Sequence, residues 1–157
     1  MLEHRIYRDL KKDHDLHRSL LKRIADGDGD RTSLFDELKT QITAHAAAEE
    51  ESLYATMLAD PELRDDARHS VAEHKEVADY LSELAKLAPN SSEWNEKFAH
   101  MRHRYEHHID EEEQEMFPAA EEQLSDAVEE KLADTYEERK PAELERAIAS
   151  PDEDERD

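Results

Sequence analysis

The stretch HAAAEEESLY, residues 45–54, and the stretch HIDEEEQEMF, residues 108–117, share one frame. Both read His-x-x-x-Glu-Glu-x-x-apolar-aromatic. Residues four apart in a helix project from the same face, so each stretch can offer one imidazole and one carboxylate to a single point. One such pair means little in a chain with 10 His and 43 acidic residues, but a repeated frame predicts a shared site.

Both pairs, His45 with Glu49 and His108 with Glu112, lie in phase with an apolar helix stripe. The apolar members of the two stripes are Leu38, Ile42, Leu53, Phe98, Met101, Tyr105 and Met116. An ionised carboxylate buried on such a stripe costs several kcal/mol unless it is paired or binds a metal. We favour His108 over its neighbour His107, which is in phase with polar residues. In each acidic run we expect only one Glu to point inward.

Two further helices carry a histidine on their apolar stripe. His74 lies between Val71 and Val77, and His14 lies near Leu10 and Leu21. Carboxylates can bridge two metal ions while imidazoles fill terminal positions, and nitrogen and oxygen donors without sulfur suit iron or manganese and tolerate zinc. Dinuclear carboxylate sites are a known use of four-helix bundles. A metal-free polar core ranks last, because its carboxylates would be buried at high cost.

The periodicity predicts an all-α protein, an up-down-up-down four-helix bundle followed by a short fifth helix. Asp60 and Pro61 signal the start of the third helix, and Thr32 or Ser33 could cap the second. The predicted helices span 2–25, about 33–59, about 60–87, about 92–121 and 126–139. We expect Pro141 to end the fifth helix, which gives a domain over 1–140 and an acidic, disordered tail over 141–157.

Composition excludes several classes of protein. The formal net charge is −22, so nucleic acid and anionic membrane surfaces are poor partners. There is no cysteine, which excludes disulfides, thiolate zinc sites and iron–sulfur clusters. No apolar run is long enough to span a bilayer or to act as a signal peptide, so we expect a cytoplasmic protein. The sequence does not indicate which protein, if any, this chain binds.

The acidic loop after the first helix resembles a calcium loop only in part. Asp26, Asp28 and Asp30 fall at positions 1, 3 and 5 of an EF-hand. Position 6 of that loop needs glycine for its sharp turn, and here it is Arg31. An ordinary acidic connection between helices is the better interpretation.

Taken together, these segments make the chain resemble the hemerythrin-like HHE cation-binding domains over roughly residues 5–121. The matching segments are Asp13-His14, His45 to Tyr54, Glu73-His74-x-x-Val77 and His108 to Pro118. The resemblance implies two non-haem iron ions with an oxo or hydroxo bridge, for which manganese or zinc could substitute. The ligands it implies are His14, His45, Glu49, His74, His108 and Glu112, with the two Glu as bridges.

The chain departs from this family beside His74. Oxygen-carrying hemerythrins have a second histidine one turn away, where this chain has Ser70 and Ala78. The open position could take water or a further side chain. The candidates for an additional ligand or a supporting contact are His17, Tyr105 and Tyr54. Such an open position favours reactions with small oxidants over reversible oxygen carriage.

Two functions from different classes follow from the resemblance. One is a binding or sensing module for O2, peroxide or nitric oxide. The other is an enzyme that acts on hydrogen peroxide, as a catalase or peroxidase does, or on nitric oxide. Iron storage or iron sensing ranks below both, and the sequence leaves open whether the chain is an enzyme.

Overall fold

The computed structural model describes residues 3–149 as a bundle of antiparallel helices, which confirms the predicted all-α class. No strand occurs within this range. The helices are α1, Arg5–Asp26; α2, Arg31–Glu49; α3, Arg64–Ala85; α4, Ser92–Glu111; and α5, Asp126–Ala149. Helix α2 continues through a π turn, Glu50–Tyr54, into Ala55–Ala59. Helix α4 continues in the same way through a π turn, Glu112–Met116, into Phe117–Gln123. None of the helices in this range is long and apolar enough to cross a membrane.

Short polar segments set where the helices begin and end. Gly27 ends α1 in the left-handed region, with φ 70°, a conformation that glycine adopts without steric cost. Asp30 caps α2 by accepting from the Ser33 amide at 3.0 Å, so the predicted cap at Thr32 or Ser33 was wrong by two or three residues. Helix α3 begins at Arg64, after a turn in which the Leu63 amide donates to the Asp60 carbonyl.

Two apolar clusters fill the bundle, and a polar layer separates them. One cluster contains Leu10 and Leu53, and the other contains Leu20 and Ile42. His14 lies between Leu10 and Leu20 on α1, and the polar residues of α2 lie between Ile42 and Leu53. Each fully buried leucine or isoleucine stabilises the fold by about 1.5–3 kcal/mol. The apolar clusters therefore hold the polar layer in place from both sides.

Each of the two long helices that carry the repeated frame has a π turn immediately beside its glutamate. The sequence predicted uninterrupted α-helices here. A π turn bonds residue i to i+5, so the residue five positions on stays near the same face. Tyr54 follows Glu49 by five and Phe117 follows Glu112 by five, and both aromatic rings are buried. Such turns occur frequently at functional sites.

Helix α5 is longer than predicted, because it continues through Pro141 to Ala149. The expectation that Pro141 ends the helix was wrong. A proline inside a helix removes one backbone hydrogen bond, but Glu143 and Ala147 beyond it are 3% and 7% exposed, so their packing on the bundle favours the longer helix. The last part of the predicted tail, 150–157, lies outside the described residues.

Candidate metal centre

The structure brings all six predicted ligands into one buried layer. Each has a relative exposure of 4% or less. They form two overlapping groups of four whose ligand atoms lie within 4.8 Å of one another: His14, His45, Glu49 and Glu112, and Glu49, His74, His108 and Glu112. Both glutamates belong to both groups. The arrangement is therefore one of two neighbouring positions that share two carboxylates.

The carboxylates reach both pairs of imidazoles. Glu112 Oε1 lies 3.1 Å from His14 Nε2, and its Oε2 lies 4.0 Å from His108 Nε2. Glu49 Oε1 lies 3.5 Å from His45 Nε2 and 3.3 Å from His74 Nε2. A cation about 2.0–2.2 Å from its ligands sets neighbouring ligand atoms roughly 3.0–3.5 Å apart. Most of these distances already suit a bound cation.

The atoms that face this layer lack hydrogen-bond partners among the described residues. They are Nε2 of His14, His45, His74 and His108, both carboxylate oxygens of Glu49, and Oε1 of Glu112. A buried polar atom without a partner is costly, and such a concentration of them in a single layer requires an explanation. A cation would provide the missing partner to every one of them, so the residues present fit a metal centre.

On the outer side, each of the four imidazoles donates through Nδ1 to a second carboxylate. The four contacts are His14 with Glu113 at 2.7 Å, His45 with Asp13 at 3.0 Å, His74 with Glu50 at 2.8 Å and His108 with Glu73 at 2.8 Å. A carboxylate on Nδ1 fixes the tautomer that leaves Nε2 free to bind a metal, and it raises the basicity of the ring. All four imidazoles are thus oriented for coordination.

These outer carboxylates were missed in the sequence, where Glu50 and Glu113 were expected to be solvated. The available signal was the doubled Glu in both copies of the frame, together with the acid that precedes His14 and His74. The two halves of the bundle, α1 with α2 and α3 with α4, use these acids in the same way. Asp13 and Glu73 each hold the histidine of the next helix, whereas Glu50 and Glu113 each hold a histidine of the other half.

The aromatic residues of the frame also have matching roles. The Tyr54 ring stacks on His74 with 5.3 Å between centroids, and the Phe117 ring stacks on His14 at 6.1 Å. The Tyr54 hydroxyl donates to Glu112 Oε2. Tyr54 was expected as either an additional ligand or a supporting contact, and the π turn that it ends explains why it faces inward.

His17 and Tyr105 make the two halves different, because their counterparts in the repeat are apolar. A hydrogen bond of 2.7 Å joins His17 Nδ1 to the Tyr105 hydroxyl. The His17 ring lies 5.1 Å from the His45 ring, and its Nε2 has no partner among the described residues. Burial and the positive charge of His45 lower the pKa of His17 well below its ordinary value. His17 is therefore a neutral imidazole beside the centre, outside both groups of four.

Helix α5 contributes residues that no sequence pattern indicated. The Tyr136 hydroxyl donates to Asp13 and lies 2.8 Å from His45 Nδ1. Lys140 Nζ lies 2.9 Å from the same Asp13 carboxylate. The fifth helix looked like an appendage in the sequence, yet it covers the outer side of His45.

The two carboxylates shared by both groups differ in their ionisation. Burial and the neighbouring charge of Glu112 raise the pKa of Glu49 to about 8. Burial alone would raise the pKa of Glu112 too, but contacts with His14 and the charge of His108 lower it well below its ordinary value. Burial opposes protonation of His14, yet its contacts with Glu112 and Glu113 raise the pKa of His14 to about 9. Without a cation, the layer therefore holds protons in place of a metal.

A narrow cleft between α2 and α3 leads to this layer. Its lining is mostly apolar or small: Ile42, Thr43, Ala46, His74, Val77, Ala78, Leu81 and Tyr105. Ala78, which lies one turn after His74 and is one of the two positions without a second histidine, lines this cleft. On the other side of His74, the Ser70 hydroxyl donates to the Met116 sulfur at 2.8 Å. The position that lacks a histidine therefore opens towards a cleft.

Two alternatives weighed in the sequence have clear outcomes. The His108 side chain is 2% exposed and that of His107 is 66% exposed, so the chosen register is the buried one. The acidic loop at 26–30 is not among the groups able to hold a metal within the described residues. Its last acid, Asp30, caps α2 instead.

Comparisons with known proteins agree with this geometry. The family model of the hemerythrin HHE cation-binding domain matches residues 5–120. The fold is similar to the crystal structure of a hemerythrin HHE cation-binding domain-containing protein from Mycobacterium kansasii, with 26% identity and a TM-score of 0.79. That alignment covers 95% of this chain and 92% of the mycobacterial chain, so α5 has a counterpart there. No curated protein matches.

Proposed function

Since the chain belongs to the hemerythrin HHE cation-binding domain family, and is thus a cation-binding module, we propose that its buried layer holds two iron ions. His14 and His45 would bind one ion, and His74 and His108 the other. Glu49 and Glu112 would bridge them. Manganese or zinc would fit the same donors.

The observation that carries the proposal is the doubled set of unpaired donor atoms. Each position has two imidazoles and shares two carboxylates, and every inward donor atom except Glu112 Oε2, which accepts from Tyr54, lacks another partner among the described residues. Histidine and carboxylate ligands with open positions suit iron that reacts with small molecules. The absence of sulfur donors excludes only the thiolate class of zinc site.

We further propose that the centre takes up a small uncharged molecule, O2, hydrogen peroxide or nitric oxide, as a binding or sensing module. The cleft between α2 and α3 supports this, because Ala46 and Ala78 leave room only for a small ligand and its other walls are largely apolar. Iron would supply the redox chemistry, and the chain would restrict which molecules reach it. A cytoplasmic location stays a prediction.

One observation favours an enzyme acting on peroxide as the second candidate. Tyr105 lines the cleft, and its hydroxyl is hydrogen-bonded to the neutral His17. Such a pair can donate a proton to a substrate oxygen and take one back, which is the role of a general acid and base.

The metal content of purified protein tests the centre itself. After anaerobic loading with Fe²⁺ and desalting, we expect about two irons per chain in the wild type. Glu49→Ala and Glu112→Ala should each lose iron, because removing a bridging carboxylate leaves both positions short of a donor. His107→Ala, with its exposed side chain, is the matched control and should keep both ions. Full iron content in Glu112→Ala would show that this carboxylate is not a ligand.

Oxygen release after addition of peroxide separates the two functions. A binding or sensing module should change its iron spectrum without sustained oxygen release. An enzyme should release oxygen over many turnovers, and Tyr105→Phe should slow that release while the iron content stays at two per chain. Equal rates in Tyr105→Phe and the wild type would remove the acid–base role of this pair.

A further inference from the structure

A second set of His-x-x-x-Glu pairs lies on the surface of α3 and α4. His69 precedes Glu73 on α3, and His107 precedes Glu111 on α4. His69 Nε2 lies 3.4 Å from Glu73 Oε2 and 3.3 Å from Glu111 Oε1. His107 Nε2 lies 3.4 Å from Glu111 Oε2. The side chains of His69, Glu73 and Glu111 form one cluster, which we call the outer cluster, and His107 lies at its edge.

The spacing within the outer cluster is compatible with a bound cation. Ligand atoms of His69, Glu73 and Glu111 all lie within 4.8 Å of one another. A tetrahedral cation bound at about 2.0–2.2 Å separates its ligand atoms by roughly 3.3–3.5 Å, which matches the 3.3 and 3.4 Å distances from His69. The donors are imidazole and carboxylate, the set that takes zinc, iron or manganese.

The outer cluster is joined to the buried centre through one carboxylate. Glu73 Oε1 accepts from His108 Nδ1 at 2.8 Å, while Glu73 Oε2 faces His69. The side chains of Glu73 and Glu111 are 16% and 26% exposed, whereas those of His69 and His107 are 56% and 66% exposed. The possible ligand atoms therefore form a continuous row from the solvent-exposed His69 to the buried His108.

Charge also distinguishes this side of the bundle. Asp13 lies 2.9 Å from Lys140 Nζ, and Glu113 lies 3.0 Å from Arg18. These permanent positive charges repel an approaching cation at two of the four outer carboxylates. Glu73 has His69 beside it instead, and a histidine can bind the cation as a neutral ligand.

We propose that His69, Glu73 and Glu111 bind a divalent first-row cation at the surface, and that this site loads the buried centre. The loading step rests on the proposed function, whereas the surface site does not. A cation held by Glu73 would be one carboxylate away from His108. Ion pairs between protonated histidines and glutamates are the alternative use of the same cluster.

A zinc titration tests the surface site. Protein whose centre is already filled with iron is titrated with Zn²⁺ at pH 7.5, and binding is followed by calorimetry. We expect one further ion per chain in the wild type and none in His69→Ala or Glu111→Gln. His103 is an exposed histidine of α4, the helix that carries Glu111, so His103→Ala is the matched control and should bind zinc like the wild type. No further ion in the wild type, or unchanged binding in His69→Ala, would overturn the site.

The rate of iron uptake tests loading. With Fe²⁺ added to metal-free protein, His69→Ala should reach the same two ions per chain as the wild type but more slowly. An unchanged rate would overturn the loading role. The proposed function would fail differently: the wild type would then hold no tightly bound pair of ions. The double variant Glu49→Ala, Glu112→Ala, which lacks the two shared carboxylates of the buried layer, should still bind one zinc at the surface site.

Discussion

At the scale of single residues, the outer carboxylates determine how the imidazoles face the centre. Each Nδ1 is engaged by an acid, so each Nε2 is directed inward. Two of these acids, Glu50 and Glu113, directly follow Glu49 and Glu112 in the chain. Each Glu-Glu pair thus supplies one carboxylate that faces the layer and one that holds a histidine on another helix.

Glu113→Gln should weaken metal binding by about 10–100-fold, because such supporting contacts set the orientation and basicity of a ligand. The amide cannot accept a charge-assisted hydrogen bond from His14 as strongly as the carboxylate does. Competition with a chelator of known affinity measures the change. Glu115→Gln, at an exposed position nearby, is the control. Equal affinity in both variants would contradict the role of Glu113.

Metal binding should release protons near neutral pH. In the metal-free protein the pKa of Glu49 is raised to about 8 and that of His14 to about 9, so both groups are protonated at pH 7. A cation needs both groups deprotonated, so its affinity should rise with pH up to about 9. A pH indicator in weakly buffered protein measures the release as Zn²⁺ is added. No release at pH 7 would contradict it.

At the scale of the helices, the π turns and α5 shape the centre. The turns at Glu50–Tyr54 and Glu112–Met116 rotate the following residues so that an aromatic ring covers an imidazole. Helix α5 closes the side of the bundle at His45. Both features act by placing a side chain that the straight four-helix pattern would have directed elsewhere.

Tyr136→Phe should weaken binding of the ion held by His14 and His45 and spare the other. The substitution removes the hydroxyl that contacts both His45 Nδ1 and Asp13, and it keeps the ring that packs in the core. A zinc titration in a His69→Ala background, which lacks the surface site, resolves the two affinities. Tyr80→Phe, on the surface of α3 away from the centre, is the control. Equal weakening of both ions would show a general loss of packing.

At the scale of the whole molecule, the metal and the fold depend on each other. The chain carries 43 acidic and 21 basic residues, so its surface attracts cations and repels itself. The buried layer adds carboxylates that need a positive partner. A pair of bound cations would give these buried carboxylates and imidazoles the partners that they otherwise lack.

Loading the centre should therefore raise the thermal midpoint. A ligand present at about a thousand times its Kd stabilises the folded state by about 4 kcal/mol, which corresponds to roughly 8–16 °C for a chain of this size. Calorimetric melting with and without Zn²⁺ measures the shift, and the double variant Glu49→Ala, Glu112→Ala should keep only the smaller shift that the surface site contributes. A shift of similar size in that variant would place the stabilising ion elsewhere.

The pH dependence of the metal-free protein has a defined sign. Glu49 and His14 bind protons more tightly when folded than when unfolded, so their contribution to stability is lost as pH rises through about 8 and about 9. The metal-free midpoint should fall from pH 6 to pH 9, which widens its gap to the loaded protein. A gap that narrows over this range would contradict the assigned protonation states.

The sequence was sufficient to predict which residues of each helix face the core. His45, Glu49, His108 and Glu112 repeat at a period that places them among core residues, and the same test found His14 and His74. The structure brings these residues together, and their role as ligands stays a prediction. The helix starts were harder, since Asp30 rather than Thr32 or Ser33 caps α2.

The sequence by itself determined the all-α bundle and the polar layer, because burial on a helix follows a local period of 3.6 residues. Only the tertiary structure decided which acid meets which imidazole and that α5 covers His45. Those contacts join different helices, as Asp13 does with His45 and Tyr136. They depend on the rotation and offset of whole helices after packing, and on two π turns, none of which a local pattern encodes.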